Sequence, residues 1–207
     1  MATALTTSKT KAQAAGLDLS RIVRINEEIK SVVGVAFKIN IMALNAIFLA
    51  RRAGVAARGF GVLSHELRIF SQDLRDGMSG LTGLVHGCVT EVSLVLQGIR
   101  HTALLRQAVE QSPIACGRDV LVAREVENDR RAQRLASLRK QLRGALDDAF
   151  RMVELGGVLA KSAKIEAAYG QSFAVPLAQV SGEFDGVVEE IRASLESLRR
   201  SAFFTGN

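Results

Sequence analysis

The hydrophobic positions of this chain form four long runs, each with the period of an α-helix. In the first run, apolar residues alternate steps of four and three, which average to the 3.5-residue period of a coiled-coil seam. Its members are Ile25, Ile29, Val32, Ala36, Ile39, Ala43, Ala46, Ala50 and Ala53. The second run has the same period and comprises Phe60, Leu63, Leu67, Phe70, Leu74, Gly77, Leu81, Leu84 and Cys88. Two matching seams on either side of a short gap predict an antiparallel helical hairpin.

The gap between these runs predicts a tight turn near residues 54–59. Gly54 and Gly59 bound it, and glycine adopts the positive φ angles that a tight helix-to-helix turn demands. The second helix can continue to about Gln111, and Pro113 marks the next end because proline removes a backbone donor. Residues 1–16 are rich in Ala, Thr and Lys without an apolar stripe, so we expect a disordered or frayed start. The first hairpin therefore spans 17–112.

The second half, 113–207, repeats the pattern. Its third run comprises Leu135, Leu138, Leu142, Ala145, Ala149, Met152, Gly156, Leu159 and Ala163. After a reversal near 169–172, the fourth run comprises Phe173, Leu177, Val180, Phe184, Val187, Ile191 and Leu198. The two middle arms have about 54 residues each and would be roughly 80 Å long as helices. We predict an all-α fold, in which two coiled-coil-like hairpins pack as one long antiparallel four-helix bundle.

Composition agrees with helix and limits the partners. Hydrophobic residues make up 48% of the 207, which is ample for a core, and the chain has two prolines and no Trp. The net charge of +6 comes largely from Arg-rich stretches such as 129–143, which would suit an acidic partner or nucleic acid. A solvated helix face explains these charges more simply, so we expect no nucleic acid. The two cysteines, Cys88 and Cys116, lie too far apart along the predicted hairpins for a disulfide, which fits a reducing cytoplasm.

One apolar stretch, Val32 to Ala50, has the length of a membrane span. It contains Lys38, Asn40 and Asn45, each of which is costly in lipid. We therefore expect no membrane insertion. A membrane-associated helical protein anchored by residues 32–50 is the alternative.

The sequence carries no pattern typical of catalysis. His65, His86 and His101 are 21 and 15 residues apart, not the three or four that place two metal ligands on one helix face. No Gly-rich phosphate loop, Ser-His-Asp pattern or inward carboxylate pair is present. We expect no metal, no cofactor and no enzymatic activity. A helical-bundle regulator of a response regulator, similar to a phosphatase, remains an alternative.

Residues 35–71 resemble the hairpin tip of methyl-accepting chemotaxis receptors. Four short motifs carry the resemblance: Ala43-Leu44-Asn45-Ala46, Arg52-Ala53-Gly54, Arg58-Gly59-Phe60 and Glu66-x-Arg68. Residues 159–168 and 173–180 are more weakly similar to the two flanks of the same tip. The resemblance implies a degenerate fused tandem of two receptor hairpins. One chain would then reproduce the four-helix bundle that receptors make by dimerising.

The resemblance also implies a function and a set of contact residues. The chain would be a chemotaxis signal-transduction protein that binds the chemotaxis histidine kinase, its coupling protein or both through residues 37–62, and modulates or scaffolds their arrays. Trimer contacts with other chemoreceptors would involve Phe37, Asn40, Ile41, Leu44 and Arg52. Contacts with the coupling protein, or the shape of the turn, would involve Asn45, Arg58, Phe60 and Val62, with Gly54 and Gly59 at the turn itself.

Two departures from the family change the chemistry of this tip. Leu49 and Val55 replace residues that are acidic in the receptors, so the tip is more apolar and more basic than usual. Such a tip favours a partner surface that is itself apolar and acidic. Phe37, Ile41, Leu44 and Phe48 form a second apolar stripe, which either a partner or the other hairpin must cover.

The paired glutamates 27–28 and 189–190 resemble receptor methylation sites, but their flanks match imperfectly. Ordinary exposed helix positions near Lys30 and Arg192 explain them better, and we expect no methylation. A fused tandem needs no second copy to close its core, so we expect a monomer or a weak oligomer. The expected location is the cytoplasm, at polar or membrane-proximal chemoreceptor arrays reached through partners.

Overall fold

Helix covers almost every residue of the computed structural model, which describes residues 2–111 and 115–205. Three long α-helices come first: α1 (Ala2–Ala53), α2 (Arg58–Gln111) and α3 (Ala115–Ala168). They are followed by α4 (Ala174–Arg199) and the short α5 (Ala202–Thr205). Within the described ranges there is no β-strand. The prediction of an all-α helical bundle is confirmed.

The first turn forms where glycine interrupts the seam. Gly54 has a φ of 68°, which ends α1, and Gly54–Ala57 form one turn of 3-10 helix before α2 begins at Arg58. Gly59 therefore lies inside α2, so only one of the two glycines predicted for the turn adopts a positive φ. The predicted position of the turn is otherwise the observed one.

The second turn uses short backbone hydrogen bonds to end α3. The amide of Tyr169 donates to the carbonyl of Glu166 at 3.1 Å, and that of Gly170 donates to Ala167 at 3.2 Å. Gly170 is required because a Cβ there would lie 2.5 Å from a methyl group of Leu177. The 3-10 helix Gln171–Phe173 then leads into α4, as the predicted reversal near 169–172 requires.

The described chain divides into two compact units. The first unit comprises Met1–Asn26, Gly83–Arg143 and Ser201–Asn207. The second comprises Glu27–Thr82 and Gly144–Arg200. Each unit thus contains residues from both predicted hairpins, and the division at 112/113 stays a prediction.

The second unit contains both turns and four helical segments. Phe70 of α2 packs so closely on α3 that a Cβ at Gly156 would lie 2.5 Å from its ring. Lys164 of α3 and Asp185 of α4 form an ion pair, and the guanidinium of Arg199 lies 5.1 Å from the ring centre of Phe150. These contacts bring α3 against both α2 and α4.

The first unit is held by polar contacts as well as apolar ones. Arg106 of α2 pairs with Glu125 of α3 at 2.5 Å, and Asn128 donates to the hydroxyl of Thr102 at 2.9 Å. Arg139 of α3 pairs with Asp18 of α1, and its guanidinium lies 4.7 Å above the ring of Phe203. Phe203 is fully buried, so α5 covers this part of the core.

The seam of α1 matches its prediction and those of the other helices match in part. In α1, the seam is buried from Ile25 to Ala50. In α2, however, Ser64, Met78 and Val85 are buried where Leu63, Gly77 and Leu84 were predicted. Likewise, α3 buries Leu146, Val153 and Ala160 rather than Ala145, Met152 and Leu159, and α4 buries Ser181 and Val188 rather than Val180 and Val187. Counted from Phe60, Leu142 and Leu177, which are both predicted and buried, the structure steps by four and then three, whereas the prediction stepped by three and then four.

The N-terminal expectation differs from the structure, since α1 includes residues 2–16. Ala and Lys have high intrinsic helix propensity, which extends the helix beyond the apolar stripe that starts at Leu17. The predicted base turn at Ser112 and Pro113 lies outside the described residues.

The apolar stretch at 32–50 contributes its inner face to the core. Val32, Ala36, Ile39 and Ala43 are fully buried in the second unit. Among the described residues, one helical stretch, within Gly16–Gln111, is long and apolar enough to cross a membrane, and a third of its most apolar window is buried. Length and composition alone are weak evidence for a span, because the core helix of a soluble protein meets the same criteria.

Candidate functional site: the first turn and its flanking helices

An apolar stripe on the outside of α1 leads towards the first turn. Phe37, Ile41 and Phe48 are exposed, and Leu44 is partly exposed. Of the two arrangements considered for this stripe, the structure therefore has the one in which the second hairpin leaves it open. Large apolar side chains grouped on one face are typical of a surface that another molecule covers.

The other predicted contact residues divide between the surface and the core. Asn45, Arg52, Arg58 and Val62 are exposed. Phe60 is fully buried, so its ring fixes the start of α2 against the core and is not open to a partner. Asn40 is half-buried, and its Oδ1 atom accepts no hydrogen bond from the described residues.

Gly59 has a packing role that the sequence pattern does not reveal. A Cβ at this position would lie 2.2 Å from Oε1 of Glu166, so the carboxylate of α3 rests directly on the backbone of α2. Glycine at this position allows close approach and does not serve the turn conformation; a Cβ would have to displace only the flexible end of the Glu166 side chain. The contact brings the carboxylate of Glu166 near the end of α3 to the start of α2.

A groove opens where α1 ends and α2 begins. Its volume is about 600 Å³, and residues from both helices and the intervening 3-10 turn form its walls. The lining residues are Ile47, Ala50, Arg51, Gly54, Val55, Ala57, Arg58, Gly61, Val62 and His65. The groove is thus apolar at its base with two guanidinium groups among its walls.

Of the predicted site residues, Gly54, Arg58 and Val62 line this groove. The remaining ones lie elsewhere on the same hairpin. Sequence reasoning missed Ile47, Arg51 and His65 as lining residues, and it noted Val55 only as a lost carboxylate. Helical spacing offered a signal, because residues 47 and 51 share one face of α1 just before the turn, and residues 58, 62 and 65 share one face of α2.

Within residues 31–65 the charged side chains have one sign, although the carboxylate of Glu166 lies against Gly59 at the start of α2. Residues 31–65 contain no Asp or Glu, and their charged side chains are Lys38, Arg51, Arg52 and Arg58. Arg51 and Arg52 lie in the last turn of α1, where positive charge interacts favourably with the helix dipole. Within residues 2–111 and 115–205, Arg52 and Arg58 form no ion pair and donate no side-chain hydrogen bond that would cap the helix ends.

Residues with catalytic or metal-binding potential are not gathered at this site. His65 alone lines the groove, while His86 and His101 are exposed on the part of α2 that belongs to the first unit. Among the described residues, no three His, Cys, Asp or Glu side chains are grouped as a metal site would require. Burial raises the pKa of the Cys88 thiol to about 11, partly offset by Arg139, so Cys88 is protonated at neutral pH. The side chain of Cys116 lies outside the described residues.

Fold and site together define an all-helical bundle whose first turn presents an apolar, basic surface. Within the described residues, this surface has no cluster of metal-binding side chains. No protein-family profile matches the chain. Curated relatives nevertheless share part of it, and several are methyl-accepting chemotaxis proteins at 32–38% identity. The resemblance to the receptor signalling domain is therefore confirmed for about a third of the chain.

Three relatives illustrate the extent of this similarity. Methyl-accepting chemotaxis protein IV of Escherichia coli is 33% identical over 94 residues, which cover 40% of this chain and 18% of that protein. Methyl-accepting chemotaxis protein TlpB of Bacillus subtilis is 38% identical over 63 residues, covering 30% and 10% respectively. Methyl-accepting chemotaxis protein McpA of Bacillus subtilis is 33% identical over 79 residues, covering 38% and 11%. The chain thus spans less than a fifth of the length of these relatives.

Proposed function

We propose that this chain is a chemotaxis signal transducer that binds the chemotaxis histidine kinase, its coupling protein or both through the first turn. The proposal assigns no catalytic step to the chain. Its effect would be to modulate or scaffold the kinase array. Similarity to methyl-accepting chemotaxis proteins supports the general role, and the exposed surface at the first turn supports the binding mode.

The single observation that carries the binding mode is the open apolar surface beside the turn. Val62 is 59% exposed and lines the groove, and Phe37 and Phe48 extend the apolar surface along α1. Burying such side chains against a partner supplies a favourable free energy of about 25 cal/mol per Å² of apolar surface removed from water. Arg58 stands among the groove walls, where a guanidinium can form paired hydrogen bonds with a partner carboxylate.

A binding experiment with matched variants tests this proposal. The wild type and the double variant Asn45→Arg, Val62→Glu are offered to immobilised kinase and coupling protein. We expect the double variant to lose most of its binding, because it places a large side chain and an unpaired charge in the contact. The matched control is Val122→Glu, since Val122 is 58% exposed but lies in the first unit.

Equal capture of the wild type and the double variant would refute the binding mode. Equal loss from the control variant would point to a general effect of added negative charge. Circular dichroism of all three proteins verifies that helix content is unchanged, so that a loss of binding is not a loss of fold.

A further inference from the structure

The two compact units differ in net charge. The first unit contains 14 Lys and Arg against 7 Asp and Glu, which gives a formal net charge of +7. The second unit contains 13 Lys and Arg against 14 Asp and Glu, which gives −1. The excess positive charge of the chain therefore belongs entirely to the first unit. Such an asymmetry is typical of a protein that meets an anionic surface with one of its parts.

Within the first unit, one stretch of α3 concentrates the positive charge. Residues 130–143 contain six Lys and Arg and no Asp or Glu. Two of the six are directed at neighbouring helices, since Arg131 donates to the carbonyl of Leu94 at 3.2 Å and Arg139 pairs with Asp18. The other four are exposed on the outer side of α3, and we call them the basic face: Arg130, Arg134, Lys140 and Arg143.

Little of the charge on the basic face is neutralised by the protein. Arg134 lies 3.3 Å from the carboxylate of Glu127, and 58% of its side chain remains exposed. The other three members form no ion pair within residues 2–111 and 115–205. Asp119 and Asp129 are exposed acids of the same helix, but both precede the basic face. The basic face is therefore available to an anionic partner.

Exposed aliphatic side chains adjoin the basic face. Val122 is 58% exposed and Val126 is 47% exposed. Steps of four lead from these valines to Arg130 and Arg134, so all four side chains lie along one side of α3. A helix side on which aliphatic and basic groups are both exposed is typical of helices that lie in the interface of an anionic membrane.

We infer that the first unit binds the surface of an anionic lipid bilayer through the basic face. Its guanidinium and ammonium groups contact the phosphate oxygens of the headgroups. Val122 and Val126 enter the boundary between the headgroups and the acyl chains, where their apolar surface leaves water. The contact is peripheral, because α3 lies along the membrane surface and does not cross it.

The neighbouring side chains favour lipid over nucleic acid as the occupant. Phosphates of nucleic acid also attract arginine, but proteins bind single strands largely by stacking bases on aromatic side chains. Residues 115–143 contain no aromatic residue. The exposed valines gain nothing from a phosphate backbone, whereas they lose contact with water in a lipid interface. Exposed cations alone also fit a solvated helix, but their confinement to one unit and the adjoining valines favour a membrane.

The expected strength follows from the number of basic groups. Each Lys or Arg close to an anionic membrane strengthens binding about fivefold. Four such groups therefore favour an anionic bilayer over a neutral one by more than about a hundredfold. The attraction is electrostatic, so it should be largely lost at about 0.5 M salt, where the Debye length is only a few ångströms.

Co-sedimentation of the purified full chain with vesicles tests the inference. The vesicles contain phosphatidylcholine alone, or phosphatidylcholine with about one third phosphatidylglycerol as the anionic lipid. At about 0.1 M salt, we expect the wild type to sediment with the anionic vesicles and to remain in solution with the neutral ones. At about 0.5 M salt, it should remain in solution with both.

Matched double variants locate the contact. Arg130→Gln with Lys140→Gln removes two members of the basic face and should weaken binding to anionic vesicles about 25-fold. The control is Arg151→Gln with Lys161→Gln, because both residues are exposed on the same helix but belong to the second unit. It removes the same charge and should bind like the wild type. Glutamine has nearly the helix propensity of lysine and arginine, and circular dichroism verifies that both variants are folded.

This inference goes beyond the proposed function, because it assigns a partner to the first unit and leaves the first turn to the kinase and coupling protein. The vesicle assay contains neither protein, so its failure leaves the proposed function untouched. Conversely, a wild type that binds vesicles but is not captured by the kinase or coupling protein would refute only the proposed function.

Three results would overturn the inference. The first is a wild type that does not sediment with anionic vesicles at low salt. The second is equal weakening in the two double variants, which would mean that net charge and not the basic face decides binding. The third is tighter binding of a double-stranded DNA fragment than of anionic vesicles at the same salt and phosphate concentrations, which would assign the basic face to nucleic acid.

Discussion

Replacing Gly156 by alanine probes the close packing of α3 on α2. A Cβ at this position would lie 2.5–2.9 Å from three ring atoms of Phe70, which is closer than van der Waals contact allows. Phe70 is buried, so its ring cannot swing into solvent, and the backbone of α3 must move away. We expect this single added methyl group to destabilise the second unit.

The magnitude follows from two opposing terms. Forcing an extra methyl group into a packed core costs about 1–3 kcal/mol. Alanine is favoured over glycine in a helix interior by about 1 kcal/mol, which offsets part of that cost. We therefore expect a net loss of roughly 0.5–2 kcal/mol in the free energy of unfolding.

Gly144→Ala is the matched control, because Gly144 lies in the same helix and a Cβ there would meet nothing within 4 Å. Its free energy of unfolding should rise by about 0.5–1 kcal/mol from helix propensity alone. The difference between the two variants then isolates the contact with Phe70 at about 1–3 kcal/mol, since the propensity term is common to both.

Urea denaturation followed by circular dichroism gives the free energy of unfolding of both variants from the transition midpoint and slope. The same pair is also made in a Phe70→Leu background, where the ring is gone and the difference should fall below about 0.5 kcal/mol. Equal stabilities of Gly156→Ala and Gly144→Ala in the wild-type background would refute the packing of α3 on α2 described above.

Three further predictions concern the turn, the core and the buried thiol. Gly54→Ala should lower stability by about 1–2 kcal/mol because φ is positive there. In chemical denaturation, Gly54→Asn should retain most of the wild-type stability, because Asn tolerates a positive φ. Gly34→Ala has open space around its Cβ and should raise the free energy of unfolding, so equal effects of alanine at both glycines would contradict the turn geometry. Phe184→Ala should cost about 3–5 kcal/mol in thermal unfolding, and a cost below about 1 kcal/mol would contradict its full burial. Because burial raises the pKa of Cys88 from 9.0 to about 11, the unfolded state loses this proton first as the pH rises between those values. Across that window, the free energy of unfolding of the wild type, measured in urea, should fall by up to about 2.7 kcal/mol relative to that of Cys88→Ala. Parallel dependence of the two free energies on pH would contradict the raised pKa.

The period of the seams could be predicted from sequence, but their phase could not. Between Phe60 and Leu67, both Leu63 and Ser64 have the right spacing, and hydrophobicity favours Leu63. The structure buries Ser64, whose hydroxyl donates to the carbonyl of Phe60 at 2.8 Å and so loses no hydrogen bond on burial. Ser181 in α4 is buried in the same way, with a hydrogen bond of 2.9 Å to Ala178. Local satisfaction of a hydroxyl is a property of the folded helix that composition does not reveal.

The candidate site was predictable only where it depends on local chemistry. Gly54 marks the first turn because its backbone conformation is local, and the chain position of Arg58 and Val62 places them beside it. The groove depends on how α1 and α2 are rotated about their axes, which a one-dimensional pattern does not specify. The contact of Glu166 with Gly59 joins residues more than 100 positions apart, so no local sequence pattern predicts it.

Hydrogen exchange of the chain in the presence of the coupling protein and kinase tests the central claim most directly. The measurement compares the rate of backbone exchange in each peptide with and without the partners. The account predicts slower exchange in peptides covering residues 45–62, and unchanged exchange in peptides from residues 118–126 of the first unit. Binding without slower exchange at 45–62, or slower exchange confined to the first unit, would contradict it.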